Sequence, residues 1–144
     1  MHNAFPKGSN WIKCDLHIHT PLSQIQSYGG DKPEVWEQYI SDLENLPSYY
    51  KIIGINDYVL LDGYKKVLEF KNKGRLSNIE LILPVIEYRL SIFGGHKKLN
   101  KINFHIVFAN QELLDVSIIE RDFLQKLVVK KRFDEQYNWE RSIN

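Results

Sequence analysis

A chain of 144 residues is one domain's worth of sequence, and its 43% hydrophobic and 26% charged content is that of an ordinary soluble globular protein with a core to bury. A formal net charge of +1 excludes the strong field that draws a protein to nucleic acid or an anionic membrane. The single cysteine, Cys14, excludes an internal disulfide and fits a reducing, cytoplasmic setting; no apolar run approaches a membrane span and residues 1–11 carry no signal-peptide core.

Residues 1–10, with Pro6, Gly8, Ser9 and Asn10, predict an irregular lead-in. A first strand is predicted over 11–19, closed by Thr20-Pro21. Alternation along it puts Asp15, His17 and His19 on one face; Cys14, Leu16 and Ile18 share the other, an apolar side to pack under helices. A polar loop follows over 23–31 and carries Gly29-Gly30. Pro33 suits the first turn of a helix on which Val35, Trp36, Tyr39, Ile40, Leu43 and Leu46 keep helical spacing until Pro47. Residues 50–57 predict a second strand, with Ile53, Ile55 and Asp57 on one face. Asp62 is placed to cap a second helix with Tyr64, Val67 and Leu68 inward. Lys71, Lys73 and Arg75 complement its C-terminal dipole and Gly74 stops it.

Residues 79–87 predict a third strand that delivers Glu87, and 88–93 continue extended into a Gly94-Gly95 turn. The next strand, 101–108, has Ile102, Phe104, Ile106 and Phe108 on one face and Asn103, His105 and Val107 on the other. A helix over about 116–129 and a polar, fraying tail over 130–144 complete a single domain, 1–144. This is an α/β order, mostly parallel strands with crossover helices, and in such folds ligands bind at the C-terminal ends of the strands. His17, His19, Asp57, Glu87 and His105 all fall at or near predicted strand ends. Two imidazoles at i and i+2 both reach one cation, since same-face neighbours sit about 6.5–7 Å apart. The ordinary alternative is a pair of hydrogen-bonded histidines; the flanking Asp15 and the Thr-Pro-Leu-Ser turn weigh against it.

Asp15-Leu16-His17-Ile18-His19-Thr20-Pro21-Leu22-Ser23 resembles the first motif of the PHP (polymerase and histidinol phosphatase) superfamily of metal-dependent phosphoesterases. Ile53-Gly54-Ile55-Asn56-Asp57-Tyr58 resembles its second motif, Leu83-Pro84-Val85-Ile86-Glu87 its glutamate motif, and Asn103-Phe104-His105 a later histidine motif. The order is collinear over about residues 11–110. The resemblance implies a distorted β/α barrel with two or three divalent metals at the strand ends, where metal-activated water hydrolyses phosphate esters. It implies metal ligation by His17 and His19, a bridging Glu87, and His105 on a second metal. Asp57 takes an orienting role, though it reads equally as a capping or turn residue.

Two departures bear on the metal count. Tyr58 and Ile25 stand where the family carries ligands of a third metal, so at most two metals are expected, from Zn²⁺, Mn²⁺ or Fe²⁺. The family's closing Asp-x-His motif has no counterpart, so about half a barrel is expected. The variant resembles the PHP domain at the N-terminus of long proteins with an ATPase region, some linked to phage defence.

Asp15 is expected to orient a histidine, as ligating imidazoles usually donate their second N–H to such a group. Arg89, on the face of Glu87, is placed to fork onto a phosphate, with a surface ion pair as the ordinary alternative. Gly94-Gly95-His96-Lys97-Lys98 lacks the spacing of a phosphate loop and reads as a turn. A phosphorylated substrate is implied, nucleic acid only as such a substrate, no membrane, and self-association through open sheet edges. The competing reading is a truncated or degenerate domain serving as a non-catalytic interaction or regulatory module. An amidohydrolase also starts His-x-His but fits the position of Glu87 less well.

Overall fold

A computed structural model describes residues 11–24, 27–95, 100–109, 116–127, 129–132 and 140–143, the last two segments by their backbone only. The elements in order are β1 (Lys13–Ile18), α1 (Pro33–Glu44), β2 (Tyr50–Tyr58), α2 (Asp62–Asn72), β3 (Leu81–Gly94), β4 (Asn100–Val107), α3 (Val116–Asp122), a 3₁₀ turn (Leu124–Lys126), β5 (Val129–Arg132) and β6 (Glu140–Ile143). The first four strands form a curled, half-barrel-like sheet, and this mixed α/β arrangement is the architecture expected from the order of elements. The lead-in 1–10, Ile25, residues 96–98, and Tyr137 and Trp139 lie outside the described residues.

The helices sit where their apolar spacing requires. Pro33 opens α1, and Trp36, Tyr39, Ile40 and Leu43 are its buried stripe. Gly63, Tyr64 and Val67 are buried on α2, which ends before Gly74 at φ +87°. Asp62 does not cap α2: Leu61 precedes the helix, and Asp62 is its first residue, paired with Lys65 at 3.7 Å. The buried stripes meet Ile53, Ile55, Ile82, Ile86 and Tyr88 from β2 and β3 in one core. Each such fully buried aliphatic side chain contributes about 1.5–3 kcal/mol.

The apolar face expected for β1 is only partly covered. Ile18 packs against the core, but Cys14 is exposed and Leu16 is 37% exposed. The core's strand residues come mainly from β2 and β3, and β1 is an edge strand paired only with β2 among the described residues. The final helix is shorter than its spacing suggested: α3 ends at Asp122, and β5 begins at Val129. The stretch read as a polar tail contributes β6, which pairs with β3 at Arg89 and Leu90. β2 stops pairing at Glu87, so β3 beyond that point has an edge whose backbone groups β6 satisfies.

Register fixes the rest. β1, β2 and β3 are parallel, with Tyr58 beside Glu87, whereas β4 returns antiparallel with His105 directly opposite Glu87 and Asn103 opposite Arg89. Between Asp15 and Ile18, β1 advances three residues while β2 advances two, from Ile53 to Ile55. That bulge breaks strict alternation at His17 and just before His19. Gly54 makes it possible, since a Cβ there would lie 2.8 Å from Leu16 Cα and 2.7 Å from Val85 Cγ2.

Candidate metal centre

The histidines of β1 are delivered by this bulge. His17 lies within β1 at the bulge, its backbone N–H donating to Asp15 Oδ1 at 3.0 Å, and His19 follows just past the strand end. Asp15 therefore supports the turn of the backbone; its exposed carboxylate contacts a main-chain amide, not the imidazole ring it was expected to orient. Thr20 then anchors the chain, donating from its backbone N–H at 2.9 Å and its hydroxyl at 2.6 Å to the buried carboxylate of Asp57. Gly63 allows α2 to start against this node, because a Cβ there would overlap Asp57 Oδ2 and Thr20 Oγ1.

Glu87 is the centre. Its Oε2 lies 3.4 Å from His17 Nε2, 3.4 Å from His19 Nε2 and 3.5 Å from His105 Nε2. The two β1 imidazoles face each other at 3.1 Å between Nε2 atoms, and the rings of His17 and His105 meet edge to face with centroids 4.7 Å apart. The ligand atoms of His17, Glu87 and His105 all lie within 4.8 Å of one another. Thus all four residues expected to bind metal converge.

Their positions refine the strand-end rule. His19 and Asp57 do sit at strand ends, but Glu87 is in the middle of β3, where the parallel pairing with β2 stops. His105 lies inside an antiparallel strand and reaches Glu87 by cross-strand register, which brings opposite Cβ atoms within about 4.5–5.5 Å.

The electrostatics follow from burial and company. Burial pushes the Glu87 carboxyl up, but the His19 hydrogen bond and the charges of His105, His19 and His17 outweigh it and hold it at about 2. Glu87 is thus ionised at neutral pH and accepts only. Burial raises the Asp57 carboxyl above its usual range, opposed by donation from Thr20 and by His19. Ser23 Oγ lies 3.2 Å from His19 Nδ1 and Asp57 Oδ1 3.9 Å from it. Ser23 and Asp57 thus flank the Nδ1 side of the ring, which turns Nε2 toward Glu87. The Tyr58 ring stacks on His19 at 5.2 Å and 18°, fixing the imidazole plane.

This donor set suits a cation. Two imidazole nitrogens 3.1 Å apart beside a carboxylate oxygen repel through their lone pairs unless a proton or a metal ion lies between them. Imidazole and carboxylate ligands fit Zn²⁺, Mn²⁺ or Fe²⁺.

Two residues outside the predicted set belong to the centre. Asn56 Nδ2 donates to Glu87 Oε2 at 3.2 Å, and Asn103 Nδ2 donates to Oε1 at 2.7 Å. A buried amide inside the apolar strand 50–57 was a signal for the first. Asn103, two residues before His105 on the same face, was a signal for the second. The side chain of Arg89 lies outside the described residues; its backbone pairs with Asn103 and Ser142.

No protein-family model, curated protein or solved structure matches this chain. The chemistry of the centre therefore rests on its own geometry. Among the described residues no helix is long and apolar enough to cross a membrane.

Proposed function

We propose that this chain is a metal-dependent phosphoesterase domain of PHP type, with His17, His19, Glu87 and His105 as its metal ligands. The observation that carries the reading is the convergence of three imidazole Nε2 atoms on Oε2 of one buried, ionised glutamate. A divalent cation bound there supplies positive charge for phosphate oxygens and a water acidified to near-neutral pKa. Phosphate esters hydrolyse very slowly unaided, so charge stabilisation and a positioned nucleophile are what such a centre must provide.

The chain's own residues prepare that chemistry. Glu87 contributes fixed negative charge. Asp57 and Thr20 lock the backbone behind His19, and Ser23 and Tyr58 hold the position and plane of its ring. Side-chain exposures of 52% for His17 and 34% for His105 leave the centre open to substrate.

Metal titration of chelator-treated protein, followed by assays on aryl phosphate mono- and diesters with Mn²⁺ or Zn²⁺, tests the reading. Binding together with turnover, both lost in a His17→Ala/His19→Ala variant, is the expected result. Failure to bind any divalent cation overturns it. Tight binding without turnover on any ester converts the proposal to the non-catalytic module.

A further inference from the structure

We infer that Asn56 and Asn103 are positioning residues for the metal centre: their amides grip Glu87 from two sides and hold its Oε2 toward the histidines. The inference rests on the metal-site reading above and adds the residues that aim its central ligand. The last torsion of a glutamate side chain is broad, so burial alone does not choose which carboxylate oxygen faces the imidazoles. Here each oxygen is held by a different strand. Asn103 Nδ2, on β4, donates to Oε1 at 2.7 Å, and Asn56 Nδ2, on β2, donates to Oε2 at 3.2 Å. Both amides present their NH₂ groups to Glu87, since a carbonyl oxygen there would face a full negative charge. All three imidazole contacts run to Oε2.

Strand register explains the grip. Pairing sets Asn56 beside Val85, two residues before Glu87, and Asn103 opposite Arg89, two residues after it. The amides therefore reach Glu87 diagonally, one from each neighbouring strand and from opposite directions along β3. Turning the carboxylate loosens both bonds. His105, two residues beyond Asn103 and directly opposite Glu87, meets Oε2 instead. One strand thus supplies both a candidate ligand and an amide that turns the shared carboxylate toward it. Asn56 shows the cost of the arrangement. It is fully buried, and its Oδ1 has no hydrogen-bond partner among the described residues. An apolar side chain of the same size would avoid that unsatisfied oxygen, so the contact with Glu87 is what the amide serves.

The test is titration of the chelator-treated full chain with Zn²⁺ and Co²⁺, together with the visible absorption of the Co²⁺-loaded protein. Asn103 is exposed on β4, so Asn103→Leu, which keeps the size and removes the donor, is compatible with folding, which circular dichroism verifies. Asn56→Leu is the second variant; if its core placement prevents folding, Asn103→Leu decides. Wild type is expected to bind both ions. Each variant is expected to bind about 10–100-fold more weakly, the usual cost of removing a group that orients a metal ligand. A shifted Co²⁺ spectrum is expected with it, because Glu87 meets the ion at a different angle. Unchanged affinity and spectrum in folded Asn103→Leu overturn the inference and leave the metal site standing. Weaker binding with the wild-type spectrum gives Asn103 a merely structural role and also overturns it. No binding of either ion by wild type overturns the metal-site reading, and the inference with it.

Discussion

Glu87→Gln keeps the shape of the central side chain and removes its charge, which makes it the sharpest probe of the centre in metal-free protein. Glu87 is held at about 2 against an ordinary 4.5. A full shift of that size corresponds to about 3 kcal/mol of stability. The histidines that cause it are partly open, 52% for His17 and 34% for His105, so solvent screening reduces this to about 1–2 kcal/mol. The sign follows from the direction. A carboxyl depressed on folding stabilises above its unfolded value of 4.5, and that contribution is lost as pH falls toward about 2. Gln also places an NH₂ group against either Asn103 or the imidazoles, a pH-independent penalty. Urea denaturation of wild type and variant from pH 6 down to pH 3 separates the two parts. The variant should be weaker by at least 1–2 kcal/mol at pH 6, and the gap should narrow below about pH 4.5. A gap that stays constant across this range refutes the ionic role of Glu87.

Three further outcomes follow from the same contacts. Thr20→Val removes the 2.6 Å hydroxyl donor to buried Asp57 and should cost about 1.5–3 kcal/mol by chemical denaturation. Gly54→Ala drives a Cβ into Leu16 and Val85 across the β1 bulge; a loss of about 1–3 kcal/mol is expected, together with weakened metal binding because His17 moves with the bulge. The edge of β1 that has no partner strand among the described residues, with Leu16 exposed at 37% and Cys14 exposed, should support concentration-dependent self-association in light scattering, reduced by Leu16→Lys. A monomer at all concentrations refutes the last.

What the sequence determined by itself is local. Spacing along α1 and α2 named the buried stripe, because an amphipathic helix writes its period into consecutive residues. The His-x-His pair was legible from alternation on its own strand, and Glu87 and His105 were singled out by their place near predicted strand ends and by the family resemblance. The tertiary structure decided everything that depends on which strand meets which. The bulge opposite Gly54 aims the histidines, and antiparallel register sets His105 across from Glu87 in mid-strand rather than at a strand end. Asp15 turned to a backbone amide, and Asn56 and Asn103 claimed lone pairs of the glutamate. The two asparagine contacts join residues far apart in the chain, with separations of 31 for Asn56–Glu87 and 16 for Asn103–Glu87. Pairing between distant strands is fixed by the closing of the sheet as a whole, and no single stretch of the chain encodes it.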